Sequence, residues 1–104
     1  MQPKYEILTI AKQLMASADT MLLDDLFVFF INLSISKKKY LTVLYNELNI
    51  IEVAMNCFNV INNEANKVVT NLMILINMVV KQNINSLKLS DFKIIAVIMI
   101  ILIP

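Results

Sequence analysis

Residues 41–79 read LTVLYNELNIIEVAMNCFNVINNEANKVVTNLMILINMV, and the spacing of their apolar side chains decides the fold. Leu41, Leu44, Leu48, Ile51, Met55, Phe58, Asn62, Ala65, Val69, Leu72, Ile76 and Val79 follow one another at alternating steps of three and four. Such steps keep side chains on one face of a helix, and only Asn62 on this stripe is polar. The first half is two-faced, with Thr42, Asn46, Asn49, Glu52, Asn56, Asn59 and Asn63 along another side. The second half, residues 68–80, is apolar almost all round, and a helix of that kind belongs in the middle of a domain.

The stripe allows two arrangements. A single helix would be ~60 Å long, far beyond the usual 11–12 residues. A hairpin broken at Asn62-Asn63 suits a compact domain, because Asn accepts a left-handed turn or caps a new helix. Asn62-Asn63 is the one plausible break before Lys81, and the hairpin is the preferred reading. Residues 40–61 then form one helix. The flanks of the whole stripe carry Val53, Val60, Val68, Met73, Ile74 and Met78 instead of paired Glu and Lys, which favours a bundle core over a two-stranded coiled coil.

Toward the N-terminus, residues 4–17 place Ile7, Leu8, Ala11, Leu14 and Met15 on one face of an amphipathic helix, with Pro3 in its first turn. A break at residues 17–20 leads into a second helix through Leu26, Phe27, Phe29, Phe30 and Leu33 to about Ile35. Asp24 and Asp25 read as partners of that helix's positive end. Adjacent helical positions diverge by about 100°, so the two carboxylates do not converge on an ion. Lys37, Lys38 and Lys39 form the next joint and face the helix's carbonyl end.

Toward the C-terminus, residues 81–89 are a polar connector. Ser90 and Asp91 cap a last helix starting at Phe92, with a buried strand as the rival reading of the apolar run at residues 94–103. The expected fold is all-α: a compact bundle of five or six helices around an apolar central helix at residues 68–80, in one domain spanning residues 1–104.

The residue inventory excludes most chemistry. The chain has no His, Gly, Arg or Trp, and its nine basic residues are all Lys. That removes imidazole catalysis and ligation, glycine-rich phosphate loops and bidentate phosphate clamps. A single cysteine, Cys57, builds neither a disulfide nor a zinc site and reads as a small buried hydrophobe. No Glu-x-x-His motif supports a carboxylate metal site. No cofactor or metal is expected, and the chain reads as a non-enzyme.

A net charge of +1 and dispersed lysines give no electrostatic footprint for nucleic acid. Glu6, Lys12 and Gln13 interrupt any secretory leader, and no run reaches the ~18 apolar residues of a spanning helix. With one cysteine, that favours an intracellular location. Ile, Asn and Lys supply over a third of the chain, all with AT-rich codons, which points to an AT-rich genome such as that of a DNA virus, parasite, endosymbiont or organelle.

Hydrophobic residues make up 59% of the chain, against roughly 45–50% in ordinary globular proteins. The excess must be covered, so a protein partner or self-association is expected, with membrane contact a further possibility. Residues 94–103 are the expected contact segment, because a helix turns a third or more of ten successive apolar residues away from one core. Ile95, Ile98, Met99 and Leu102 share one side; Ile94, Val97 and Ile101 share another. One side packs on the central helix and the other meets a partner.

The function expected is therefore protein–protein interaction or a structural subunit. The alternatives are a membrane-associated subunit, with residues 94–103 and 26–35 in lipid, and a small adaptor or inhibitor that captures a partner helix. A bundle round an apolar central helix resembles the Bcl-2-like folds of viral inhibitors at the level of architecture alone. Three of the four residue types of that family's Asn-Trp-Gly-Arg signature are missing here.

Overall fold

The computed structural model describes residues 8–13, 16, 20–61 and 66–102; the side chains of residues 20, 56–61, 66, 67, 101 and 102 lie outside that description. Five helices are α1 (Thr20–Ser36), α2 (Lys39–Val43), α3 (Ile50–Ile61), α4 (Asn66–Gln82) and α5 (Leu89–Leu102), with a π turn at Leu44–Leu48 between α2 and α3. Residues 8–13 are helical as well, and no strand occurs among the described residues. The fold is all-α, a bundle of six helices among the described residues. Its radius of gyration, 12.9 Å, is that of a compact chain of this length, for which ~13 Å is usual.

The bundle is organised by α4. It packs along α1 in the largest interface and also touches α2 and α3. Val68, Val69, Leu72, Leu75, Ile76 and Val79 are buried, so this helix supplies the middle of the core. It is nevertheless not apolar all round: Thr70, Ile74, Asn77 and Lys81, at helical spacing, form a solvent-facing line. Asn71, the other polar residue of the segment, donates from Nδ2 to Oδ1 of Asp24 at 2.6 Å and so joins α4 to α1.

That bond corrects the reading of the paired aspartates. No acid lies in the first turn of α1. Asp24 and Asp25 belong to its second turn, where the pull of the helix dipole has faded. Asp24 is buried and bound to Asn71, whereas Asp25 points to solvent.

The buried side of α1 is Leu23, Leu26, Phe27, Phe30 and Ser34. Its end is closed by the Lys37 N–H on the Leu33 carbonyl at 2.9 Å, and Lys37, Lys38 and Lys39 are all exposed. Before α1, Leu8 and Ala11 are buried as expected. Ile7, Leu14 and Met15 lie outside the described residues.

The expected single helix over residues 40–61 is not formed. Asn49 turns the chain with φ 59° and ψ 47°, and its N–H bonds the Leu44 carbonyl five residues back, closing the π turn. A chain without glycine must make such a left-handed corner with another residue, and Asn has the lowest cost. Asn49 then starts α3: its carbonyl accepts from Val53 at 3.1 Å and its Nδ2 donates to Oε2 of Glu52 at 2.7 Å. Leu41, Leu44, Leu48 and Ile51 are buried on both sides of the corner. The stripe thus marks the core correctly across a break it does not reveal.

The break at Asn62-Asn63 lies outside the described residues, as does the Cys57 side chain. The flanking elements, α3 and α4, are in contact with each other.

Two hydroxyls, Ser34 Oγ and Tyr40 Oη, are buried without a hydrogen-bond partner. An unpaired buried polar group costs about 1–3 kcal/mol. Ser34→Ala and Tyr40→Phe remove that cost without opening a large cavity, so each is expected to be neutral or to stabilise the fold by about 1 kcal/mol in urea unfolding. A clear loss in both would show that the hydroxyls have partners in solution. Burial, and secondarily the charge of Glu47, holds the Tyr40 hydroxyl above its ordinary pKa.

Candidate contact surface

The local chemistry of the last helix starts in the turn after α4. Asn83 is buried, and its Nδ2 donates to the carbonyls of Val79 (2.8 Å) and Leu41 (3.2 Å), tying the end of α4 to α2. The chain then turns at residues 83–86 and enters α5 at Leu89, three residues earlier than Phe92.

Asp91 caps α5, but by reaching backward. Its Oδ2 accepts the Lys88 N–H at 2.9 Å, while the Lys88 carbonyl accepts from Asp91 at 3.0 Å, the reciprocal half of a capping box. The same Oδ2 accepts the Tyr45 hydroxyl at 2.5 Å, within the range for a charge-assisted O–H bond. The Ser86 carbonyl is a longer second acceptor for that hydroxyl, at 3.2 Å. Asp91 and Tyr45 are both buried, so this carboxylate fixes the start of α5 to the π turn. The hydrogen bond to Asp91, reinforced by burial and by the carboxylate's charge, raises the Tyr45 pKa above its ordinary 10.0.

Beyond Asp91, α5 lies on α3, and the expected packing on the central helix is not the main contact. Ile98 is fully buried, and Ile94 and Ile95 beside it are partly buried against the core. Asp91, Ile94, Ile95 and Ile98 therefore make the inward line. The two sides expected from spacing are re-cut: Ile98 belongs to the core, while its proposed side-mate Met99 is 45% exposed. Val97 is exposed too, and Ile100 reaches 72%. Leu89 and Phe92 extend this outer face toward the helix start. The side chains of Ile101 and Leu102 lie outside the described residues.

A second apolar face lies on the helix whose residues 26–35 the spacing offers only as a lipid contact, in the membrane-associated alternative. On α1, Met21, Leu22, Val28, Phe29 and Ile35 are exposed, opposite the line that packs on α4. The signal was present as a helix apolar on both sides, but the same pattern fits a helix buried all round. Only knowledge of its neighbours separates the two.

Comparison with family models, characterised proteins and solved structures gave no match.

The chemistry offered elsewhere is sparse. Among the described residues, no three His, Cys, Asp or Glu come together to hold a metal. No described helix is long and apolar enough to cross a membrane. A cleft of about 340 Å³ at the carboxyl ends of α1 and α4 is lined by Ser34, Ile35, Lys38, Leu41, Met78, Lys81 and Gln82. Another of about 390 Å³ is lined by Lys39, Thr42, Val43, Asn46 and Glu47. Most of the lining surface of both is apolar, contributed in part by the stems of their lysines.

Proposed function

We propose that this chain is a non-enzymatic protein–protein contact subunit that presents the outer face of α5 to a protein partner. One observation carries the reading: α5 buries Asp91 and Ile98, while Leu89, Phe92, Val97, Met99 and Ile100 remain in water. A contiguous apolar surface of that kind on a small protein marks an interaction site or an aggregation hazard. The outer face of α5 is an exposed helix surface, which fits face-to-face packing better than capture of a partner helix in a groove.

The test is substitution on that face in the full chain. Val97→Lys and Ile100→Lys are expected to keep the helical circular dichroism and change stability by less than about 0.5 kcal/mol, as surface changes do. Both are expected to raise solubility. Unfolding of both variants would make this face part of the core and overturn the reading. Sedimentation of the parent chain with neutral lipid vesicles, relieved by the same lysines, would replace the protein partner with a membrane.

A further inference from the structure

The two exposed apolar faces each carry a single charge, and the charges are opposite. On α1, Asp25 lies among Met21, Leu22, Val28 and Phe29; on α5, Lys93 lies among Leu89, Ala96, Val97 and Ile100. Both charged residues are exposed. Within one chain α1 packs on α4 and α2 while α5 packs on α3, so the two faces belong to different sides of the bundle's contact scheme.

We infer that the partner of α5 is a second copy of this chain, which docks the outer face of its α1 there and sets Asp25 against Lys93. This rests on reading the α5 face as a contact surface. Charge complementarity selects the occupant. Pairing α5 with another α5 would cover Lys93 with apolar side chains or a second Lys93, and pairing α1 with α1 would do the same to Asp25. Covering an unpaired charge is costly, whereas the α1–α5 pairing gives each charge its opposite.

The register agrees. With the helices parallel and Asp25 beside Lys93, Met21 aligns with Leu89, Val28 with Ala96 and Phe29 with Val97. The two faces run ~21 Å on α1 (residues 21–35) and ~16 Å on α5 (residues 89–100), lengths that match to within about one helical turn.

The experiment is a charge swap read by sedimentation velocity on the full chain over a range of concentrations. The parent is expected to self-associate, less so at high salt. Asp25→Lys alone and Lys93→Asp alone are each expected to weaken association about tenfold, while the double variant Asp25→Lys/Lys93→Asp recovers to within about threefold of the parent. Circular dichroism of each variant checks that the fold is kept; Asp25→Asn and Lys93→Gln serve should a reversal disturb it, each weakening association without reversal of sign.

A parent chain that stays monomeric, with Ile100→Lys still folded, would overturn this inference and leave the α5 face to a different protein. Single reversals without effect, in a chain that Ile100→Lys dissociates, would also overturn it and point to an α5–α5 contact. Unfolding by both Val97→Lys and Ile100→Lys would instead remove the contact reading beneath it.

Discussion

Leu72→Ala is expected to cost about 2–5 kcal/mol, a large part of the 5–15 kcal/mol that holds a domain of this size together. Leu72 has no exposed surface and sits on α4, the helix that touches α1, α2 and α3 at once. Truncation removes three carbons from a place where three neighbouring helices restrict collapse, so the cavity term adds to the lost transfer energy. Ile76→Ala, one turn further on, belongs to the same class. Ile74→Ala on the same helix is the control. Ile74 is 44% exposed, so its loss is expected to stay near or below about 1 kcal/mol. Urea unfolding followed by circular dichroism reads the difference as a shift of midpoint at constant slope. Equal, small losses at all three positions would show that α4 is not the central helix.

That experiment bears on the part of the molecule most legible in the sequence. The stripe from Leu41 to Val79 depends only on which side chains avoid water, and that is what spacing reports. Its described members are buried or partly buried, from Leu41 through Ile51 and Met55 to Leu72 and Val79. Helix axes are set by backbone geometry, which the stripe does not carry. The corner at Asn49 is made by one residue with φ 59°, and the π turn before it preserves the burial of Leu44 and Leu48. Asn49 sits among many asparagines, and nothing local distinguishes it from Asn46 or Asn59 until the chain is folded.

The candidate surface was only half legible, for a related reason. Ten consecutive apolar residues from Ile94 to Ile103 announce that α5 must have an outer face, yet leave its direction open, since every rotation of the helix is nearly as apolar as the next. The direction is set by a polar residue outside the run. Asp91, fixed by Tyr45 and by the Lys88 N–H, places the inward line at Asp91, Ile94, Ile95 and Ile98. Tyr45 lies 46 residues earlier in the sequence, so no local pattern could supply that constraint.

Asp91 is accordingly the residue whose loss α5 should feel most. Asp91→Ala is expected to cost roughly 2–4 kcal/mol, because it removes a cap and a charge-assisted bond and leaves the buried Tyr45 hydroxyl with only the Ser86 carbonyl. Tyr45→Phe removes one of these bonds and should cost less, about 1–3 kcal/mol. The two changes act on one contact, so the double variant is expected to fall well short of their sum.

Tyr45 also gives the contact a pH dependence with a definite sign. Its pKa is raised in the folded state, first by the hydrogen bond to Asp91 and then by burial, so the folded chain holds the phenolic proton more tightly than the unfolded chain. The stabilisation is complete below the unfolded value of 10.0 and is lost as pH climbs from there through the folded pKa. The penalty of Tyr45→Phe should therefore be full at neutral pH and shrink above pH 10.0, with Tyr40 contributing in the same direction to both chains. Paired unfolding curves of the parent and Tyr45→Phe at neutral and alkaline pH measure it. A penalty that stays constant across that range would mean that Tyr45 is not bound to Asp91 in solution, and α5 would then be held by Ile98 and its neighbours alone.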